Sequence, residues 1–235
     1  NSENAHYLLL AGDTFDNFED IVKLQSDFLK AIRRLHKECE VMLLAGNHED
    51  HKRNKKRISS YDLGVPIDNI IDIDSAPFLL IERNEVEFLA IPHQKDYKGY
   101  TEWKVPEKKA NWRIALAHAS NPDLSYIGFN DDEEKASVID SDLFSRFHVD
   151  YAALGHIHGY SEKTINKVKM AYPGAPRVWR KGEKGSRYVI LLECSGTIKS
   201  EKREIISAGQ FREYIVNLTL ECKQTVDLKE NMKEW

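Results

Sequence analysis

The residues of this chain best suited to chemistry stand at the ends of apolar runs. Leu8-Leu9-Leu10-Ala11 leads into Gly12-Asp13, and Val41-Met42-Leu43-Leu44-Ala45 leads into Gly46-Asn47-His48-Glu49. Ile114-Ala115-Leu116-Ala117 leads into His118, and Tyr151-Ala152-Ala153-Leu154 leads into Gly155-His156-Ile157-His158. Short apolar runs of this kind read as buried strands. In open α/β sheets, ligand sites form just outside the carboxyl ends of strands. The repetition therefore predicts one convergent site built from Asp13, Asn47, His48, His118, His156 and His158. Carboxylate, amide oxygen and imidazole make a mixed donor set that suits Mn²⁺, Fe²⁺ or Zn²⁺, and no cysteine takes part. The two oxygens of Asp13 suit it to bridge two ions. Any one Gly-Asp or Gly-His pair at a strand end is an ordinary turn; the ordered combination is the specific signal.

The elements that must position these residues follow from periodicity. Ile21, Leu24, Phe28, Ile32 and Leu35 recur at helical spacing, which predicts a helix over 18–38 between the first two strands. Asp16, three residues after Asp13, reads as a turn former or an outer partner of the site. The run His51-Lys52-Arg53-Asn54-Lys55-Lys56-Arg57 reads as a solvated helix face, with a phosphate contact as the sharper alternative. Residues 70–73, 78–82 and 86–92 read as three short strands of a second, antiparallel-paired sheet. His93 reads as a hydrogen-bonded loop histidine. The aromatics of 96–110 read as core packing, with stacking on unpaired bases as the alternative. Further strands are expected over 113–118, 167–172, 188–193 and 197–206, a short helix over 140–147, and another strand near 214–220. The acidic run Asp131-Asp132-Glu133-Glu134 is expected to face solvent away from any nucleic-acid groove.

Bulk properties narrow the class. The 235 residues are 41% hydrophobic and 31% charged, the balance of a globular domain rather than a disordered chain. A net charge of −4 argues against a generally basic, DNA-coating surface, though a local groove could still meet phosphates. The three cysteines, Cys39, Cys194 and Cys222, lack metal-type spacing and suit free thiols in a reducing cytoplasm. No apolar run spans a membrane, and no signal peptide is visible.

The series Gly12-Asp13-x-x-Asp16, Gly46-Asn47-His48-Glu49, Ala117-His118 and Gly155-His156-x-His158 resembles the calcineurin-like metallophosphoesterases. Within them it is most similar to SbcD-type DNA repair nucleases. Downstream, Tyr172-Pro173-Gly174-Ala175-Pro176, then Gly182-Glu183-Lys184-Gly185 and a strand over 188–193, is similar to a segment of those nucleases. The resemblance runs from Leu8 to about Leu220. It implies an α/β fold, an αββα sandwich of two mixed β-sheets flanked by helices. Residues 1–206 would form the nuclease domain, and 207–235 the start of a small capping region with a charged tail. It implies two divalent ions, Mn²⁺ first, with Fe²⁺, Mg²⁺ or Zn²⁺ as alternatives. Asp13 would bridge them, with Asn47, His118 and His156 completing one ion and His158 serving the other. His48 would be the catalytic proton donor, with Asp50 the nearest residue to orient it. The family's Asp-x-His motif, expected upstream of Gly12-Asp13, is not found in residues 1–7, so the chain is expected to lack its true N-terminus. The family's ATPase-docking segment would lie past Trp235.

The activity implied is hydrolysis of DNA phosphodiesters by an activated hydroxide, in repair or recombination. The partners implied are DNA, an SMC-like ATPase of the SbcC kind and a second copy of the chain, in the cytoplasm with the nucleoid. Two other functions are compatible with the residues: a phosphodiesterase or phosphatase for small substrates, and a non-catalytic scaffold.

Overall fold

The computed structural model describes residues 5–35, 39–48, 52–53, 56–57, 70–74, 76–94, 97–124, 137–178, 183 and 185–206. In chain order the elements are β1 (Tyr7–Leu10), α1 (Phe18–Ile32), β2 (Glu40–Leu44), β3 (Lys52–Arg53), β4 (Lys56–Arg57) and β5 (Ile70–Ile73). There follow β6 (Leu79–Glu82), β7 (Val86–Ile91), a 3₁₀ turn (Lys98–Glu102), β8 (Trp112–His118), α2 (Ser141–Arg146) and β9 (Tyr151–Gly155). The last strands are β10 (Ser161–Ile165), β11 (Val168–Tyr172), β12 (Arg187–Ser195) and β13 (Thr197–Ile205).

Two sheets face each other. One is parallel among the described residues, in the order β1-β2-β5. The other has six strands in the order β10-β11-β9-β8-β7-β6; its four central strands are parallel and its two edge strands antiparallel. Strands buried on both faces must be apolar at every position, and the alternation shows where each face goes. In β2, Met42 and Leu44 point into the layer between the sheets, while Val41 and Leu43 point out against α1. In β8, Ile114 and Leu116 face the inner layer, while Ala115 and Ala117 face the outer layer with α2. A fully buried large apolar side chain contributes roughly 1.5–3 kcal/mol, so these layers hold the fold together. The interior Arg113–Glu87 pair, at 2.7 Å, adds order more than energy.

α1 starts where Asn17 accepts the Asp20 N–H at 3.0 Å, with Glu19 and Asp20 in the dipole-favoured first turn. Ile21, Phe28 and Ile32 pack on β2 and β1. Leu24 stays exposed on the flank of that stripe, and the helix ends at Ile32, short of the expected 38. The outcome is the expected αββα layering, with α1 outside the first sheet and α2 outside the second.

Four further differences appear. Ile70–Ile73 joins the first sheet, parallel to β2, so of the three expected strands β6 and β7 pair antiparallel with each other and β5 pairs with neither. Within the basic run the described residues are extended and not helical: Lys52–Arg53 pairs antiparallel with Lys56–Arg57. β1 ends at Leu10, before Gly12, and is half-buried throughout. β10 was not foreseen, because Ser161-Glu162-Lys163-Thr164-Ile165 lacks an apolar pattern and forms a sheet edge. Tyr97 and Trp103 pack against the core, as expected. Cys39 and Cys194 are in no disulfide. Among the described residues no helix is long and apolar enough to cross a membrane. His51, Asp50, the acidic run 131–134, Cys222 and all of 207–235, with the strand near 214–220 and the capping region, lie outside the described residues.

Candidate metal centre

The parallel strands bring their carboxyl ends to one edge of the sandwich. After β1 the chain turns through Gly12 and Asp13 at φ 87° and 52°. After β2 the loop presents Asn47 and His48; His118 is the last residue of β8; His156 follows β9 at φ 94°. Left-handed backbone costs a non-glycine residue roughly 1–2 kcal/mol, so the surroundings hold Asp13 and His156 in place. The turn that separates His156 from His158 therefore lies at His156 itself.

Asp13, His118 and His156 offer ligand atoms that all lie within 4.8 Å of one another. Asn47 Oδ1 joins them, 3.0 Å from His118 Nε2 and 3.1 Å from His156 Nδ1. His118 Nε2 is also 3.1 Å from Asp13 Oδ2. The His118 ring is held by its other nitrogen: Nδ1–H donates to the Ala11 carbonyl at 2.6 Å. In the neutral ring Nε2 is then a lone pair that faces two oxygens. Such a cluster needs positive charge at its centre. His156 points the same way, since its buried Nε2 has no hydrogen-bond partner among the described residues, a condition native interiors avoid. The donor set fits a divalent cation, with the Ala11 carbonyl orienting a ligand as outer partners of metal sites do.

Burial alone would raise the Asp13 carboxyl, but the His118 imidazole and the His48 N–H hold it well below the usual carboxylate range. His156 is pulled down to about 3, by burial first and then by His118, with Asp13 opposing. A neutral imidazole is the form that binds a metal. It also sets a pH dependence. Between its ordinary 6.5 and about 3, the unfolded chain binds a proton that the folded chain refuses. Stability of the metal-free protein is therefore greatest above that window and falls as pH drops through it, by at most about 1.4 kcal/mol per pH unit. Urea unfolding from pH 7.5 to 4 should show a shallower fall for His156→Asn than for wild type. Equal slopes would refute the assignment.

His48 and His158 stand beside this cluster in different ways. The His48 main-chain N–H donates to Asp13 Oδ1 at 3.0 Å, while its ring Nδ1–H donates to the Asp16 carbonyl at 2.6 Å, with Asp16 Oδ1 at 3.3 Å. Asp16 thus holds the ring; the expected partner, Asp50, lies outside the described residues. His158 is not among the three clustered ligand residues; its Nδ1 is 2.6 Å from Glu183 Oε1. It lines, with Asp13 and His156, a cavity of about 1180 Å³ bounded also by β1 and β12. His93 is buried beside His118, rings 6.1 Å apart, and its main-chain N–H donates to the Ala45 carbonyl. Sequence reasoning misses Glu183 as a partner of His158, because a lone Glu in a Gly-Glu-Lys-Gly segment carries no sign of a distant histidine.

Gly155 shows how tightly the strand ends meet. A Cβ there would lie 1.8 Å from the Ala11 carbonyl oxygen, the acceptor that holds His118. Gly155→Ala should displace that carbonyl, cost about 1–3 kcal/mol of stability and weaken Mn²⁺ binding. Urea unfolding and calorimetric titration would check both, and wild-type values in each would contradict the packing described.

Comparison with known proteins places the site in context. No curated protein matches the chain. Among solved structures, phosphopantetheinyl hydrolase from Mycobacterium tuberculosis is similar at 13% identity and a TM-score of 0.43, over 72% of this chain and 78% of that one. An uncharacterized "predicted phosphoesterase" from Streptococcus pneumoniae TIGR4 is similar at 11% identity and a TM-score of 0.35, over 83% and 96%. The family model for calcineurin-like phosphoesterases matches residues 1–160. That span holds Asp13, Asn47, His48, His118, His156 and His158, and the chain belongs to the calcineurin-like phosphoesterase family.

Proposed function

We propose that this phosphoesterase is a metal-dependent nuclease that hydrolyses DNA phosphodiesters. The convergence of Asp13, Asn47, His118 and His156 at one sheet edge carries the hydrolytic part of this reading. Support for DNA as substrate comes from the Pro173-Gly174-Ala175-Pro176 and Glu183 segments, which resemble SbcD-type nucleases.

In this reading Asp13, Asn47, His118 and His156 would hold one divalent ion and His158 would serve a second, with Mn²⁺ the preferred ion. When bound, such ions supply Lewis-acid charge and lower the pKa of water. The chain's own residues do the rest. Burial keeps His156 neutral, and the Ala11 carbonyl aims the His118 ring. His48, anchored through Nδ1 to Asp16, has Nε2 left to carry a proton to the leaving oxygen. The chain would act as a homodimer with an SbcC-type ATPase.

The test is direct. With Mn²⁺, the protein should cut linear and hairpin DNA and hydrolyse bis(4-nitrophenyl) phosphate, faster than 4-nitrophenyl phosphate. Hydrolysis of the monoester with DNA left intact would overturn the nuclease reading.

A further inference from the structure

We infer that Gly174, Ala175, Glu183 and Arg187 form a clamp on His158, in which Glu183 is a positioning residue for the imidazole. The inference rests on the reading of His158 as a metal ligand given above. Four contacts converge on this one histidine. Its Nδ1 is 2.6 Å from Glu183 Oε1. Its carbonyl accepts the Ala175 N–H at 3.0 Å and Arg187 Nη1 at 3.4 Å. Gly174, at φ 83°, passes so close that a Cβ would lie 2.7 Å from the same carbonyl oxygen. Arg187 Nη2 lies 3.5 Å from Glu183 Oε2, so one guanidinium ties the carboxylate to the histidine backbone.

The burial of the parts gives the clamp its purpose. The Glu183 and Arg187 side chains are 5% and 6% exposed, while the His158 side chain is 29% exposed. A carboxylate taken out of water needs partners to justify its burial, and here the partners are an imidazole and a guanidinium. A carboxylate only accepts hydrogen bonds, so Nδ1 must carry the proton and Nε2 becomes the ring's one lone pair. A half-exposed imidazole left alone would rotate and exchange tautomers. Fixed on Glu183, it offers Nε2 as a ligand in one orientation. His118 is held by the same device, with the Ala11 carbonyl in the role of the carboxylate. The downstream segment that stood out in the sequence thus has a physical task at the site.

Two measurements test this. The first uses the metal-free protein and needs no activity: long-range ¹⁵N NMR of the His158 ring. Wild type should show the Nδ1–H tautomer, and Glu183→Ala should lose it; an unchanged tautomer in Glu183→Ala overturns the clamp. The second is Mn²⁺ affinity, which should weaken about 10–100-fold in Glu183→Ala and Glu183→Gln. Glu183→Gln fills the same space and carries this arm if Glu183→Ala fails to fold. Wild-type affinity in both variants, with weakened binding in His158→Ala, overturns the positioning role. Wild-type affinity in His158→Ala overturns instead the ligand reading of His158, and the tautomer then decides the clamp.

Discussion

Asp13→Asn should abolish Mn²⁺ binding and phosphodiester hydrolysis together, with kcat/KM falling by about 10³ or more. The size follows from what the carboxylate does. It is the single anionic donor within the 4.8 Å group of Asp13, His118 and His156. A divalent ion surrounded only by neutral donors loses its strongest electrostatic partner, and the Lewis-acid contribution at stake is several kcal/mol. The isosteric amide keeps an oxygen that can accept the His48 N–H, so the fold should survive. The metal-free variant should also lose part of the acid sensitivity of wild type, because the ionised carboxyl that pairs with His118 is gone. Calorimetric titration with Mn²⁺ and hydrolysis of bis(4-nitrophenyl) phosphate would check the two effects side by side. Retained metal affinity would place the cation elsewhere.

His48→Asn should do the opposite to binding. Mn²⁺ affinity should stay within about threefold of wild type, while kcat falls about 10²–10⁴-fold. The separation has a structural reason: what His48 gives Asp13 is a main-chain N–H, which the substitution leaves in place. What it would give the reaction is the ring, held by the Asp16 carbonyl through Nδ1. A general acid matters most when the leaving oxygen is a poor one. The loss should therefore shrink across a series of aryl phosphodiesters as the leaving phenol becomes more acidic. A loss equal for all leaving groups, or a loss of metal with the ring, would remove His48 from the role of proton donor.

The candidate site was legible in the chain to the extent that strand ends were legible. Leu8-Leu9-Leu10, Val41-Met42-Leu43-Leu44 and Tyr151-Ala152-Ala153-Leu154 have no polar face, which is the mark of strands covered on both sides, and each runs into a residue able to bind a cation. Parallel pairing then puts those ends at one edge, and Asp13, Asn47, His118 and His156 meet. What was illegible depended on sheet assignment. Nothing local in Ile70-Ile71-Asp72-Ile73 says whether it extends the first sheet or starts the second; pairing with β2 settles it. The polar strand β10 is stabilised by its ladder with β11, not by a buried face of its own, so periodicity could not reveal it.

The identities of the donors, their order and their seat at the tips of apolar strands belong to the linear chain, because hydrophobic runs and glycine breaks are local properties. Which group steadies each imidazole belongs to the folded molecule. Ala11 meets His118 across 107 residues, Asp16 meets His48 across 32, and Glu183 meets His158 across 25. Those pairings depend on how separate loops close over one sheet edge, and on glycine contacts such as Gly155 against Ala11. No local pattern encodes that closure; the packing of two sheets face to face does.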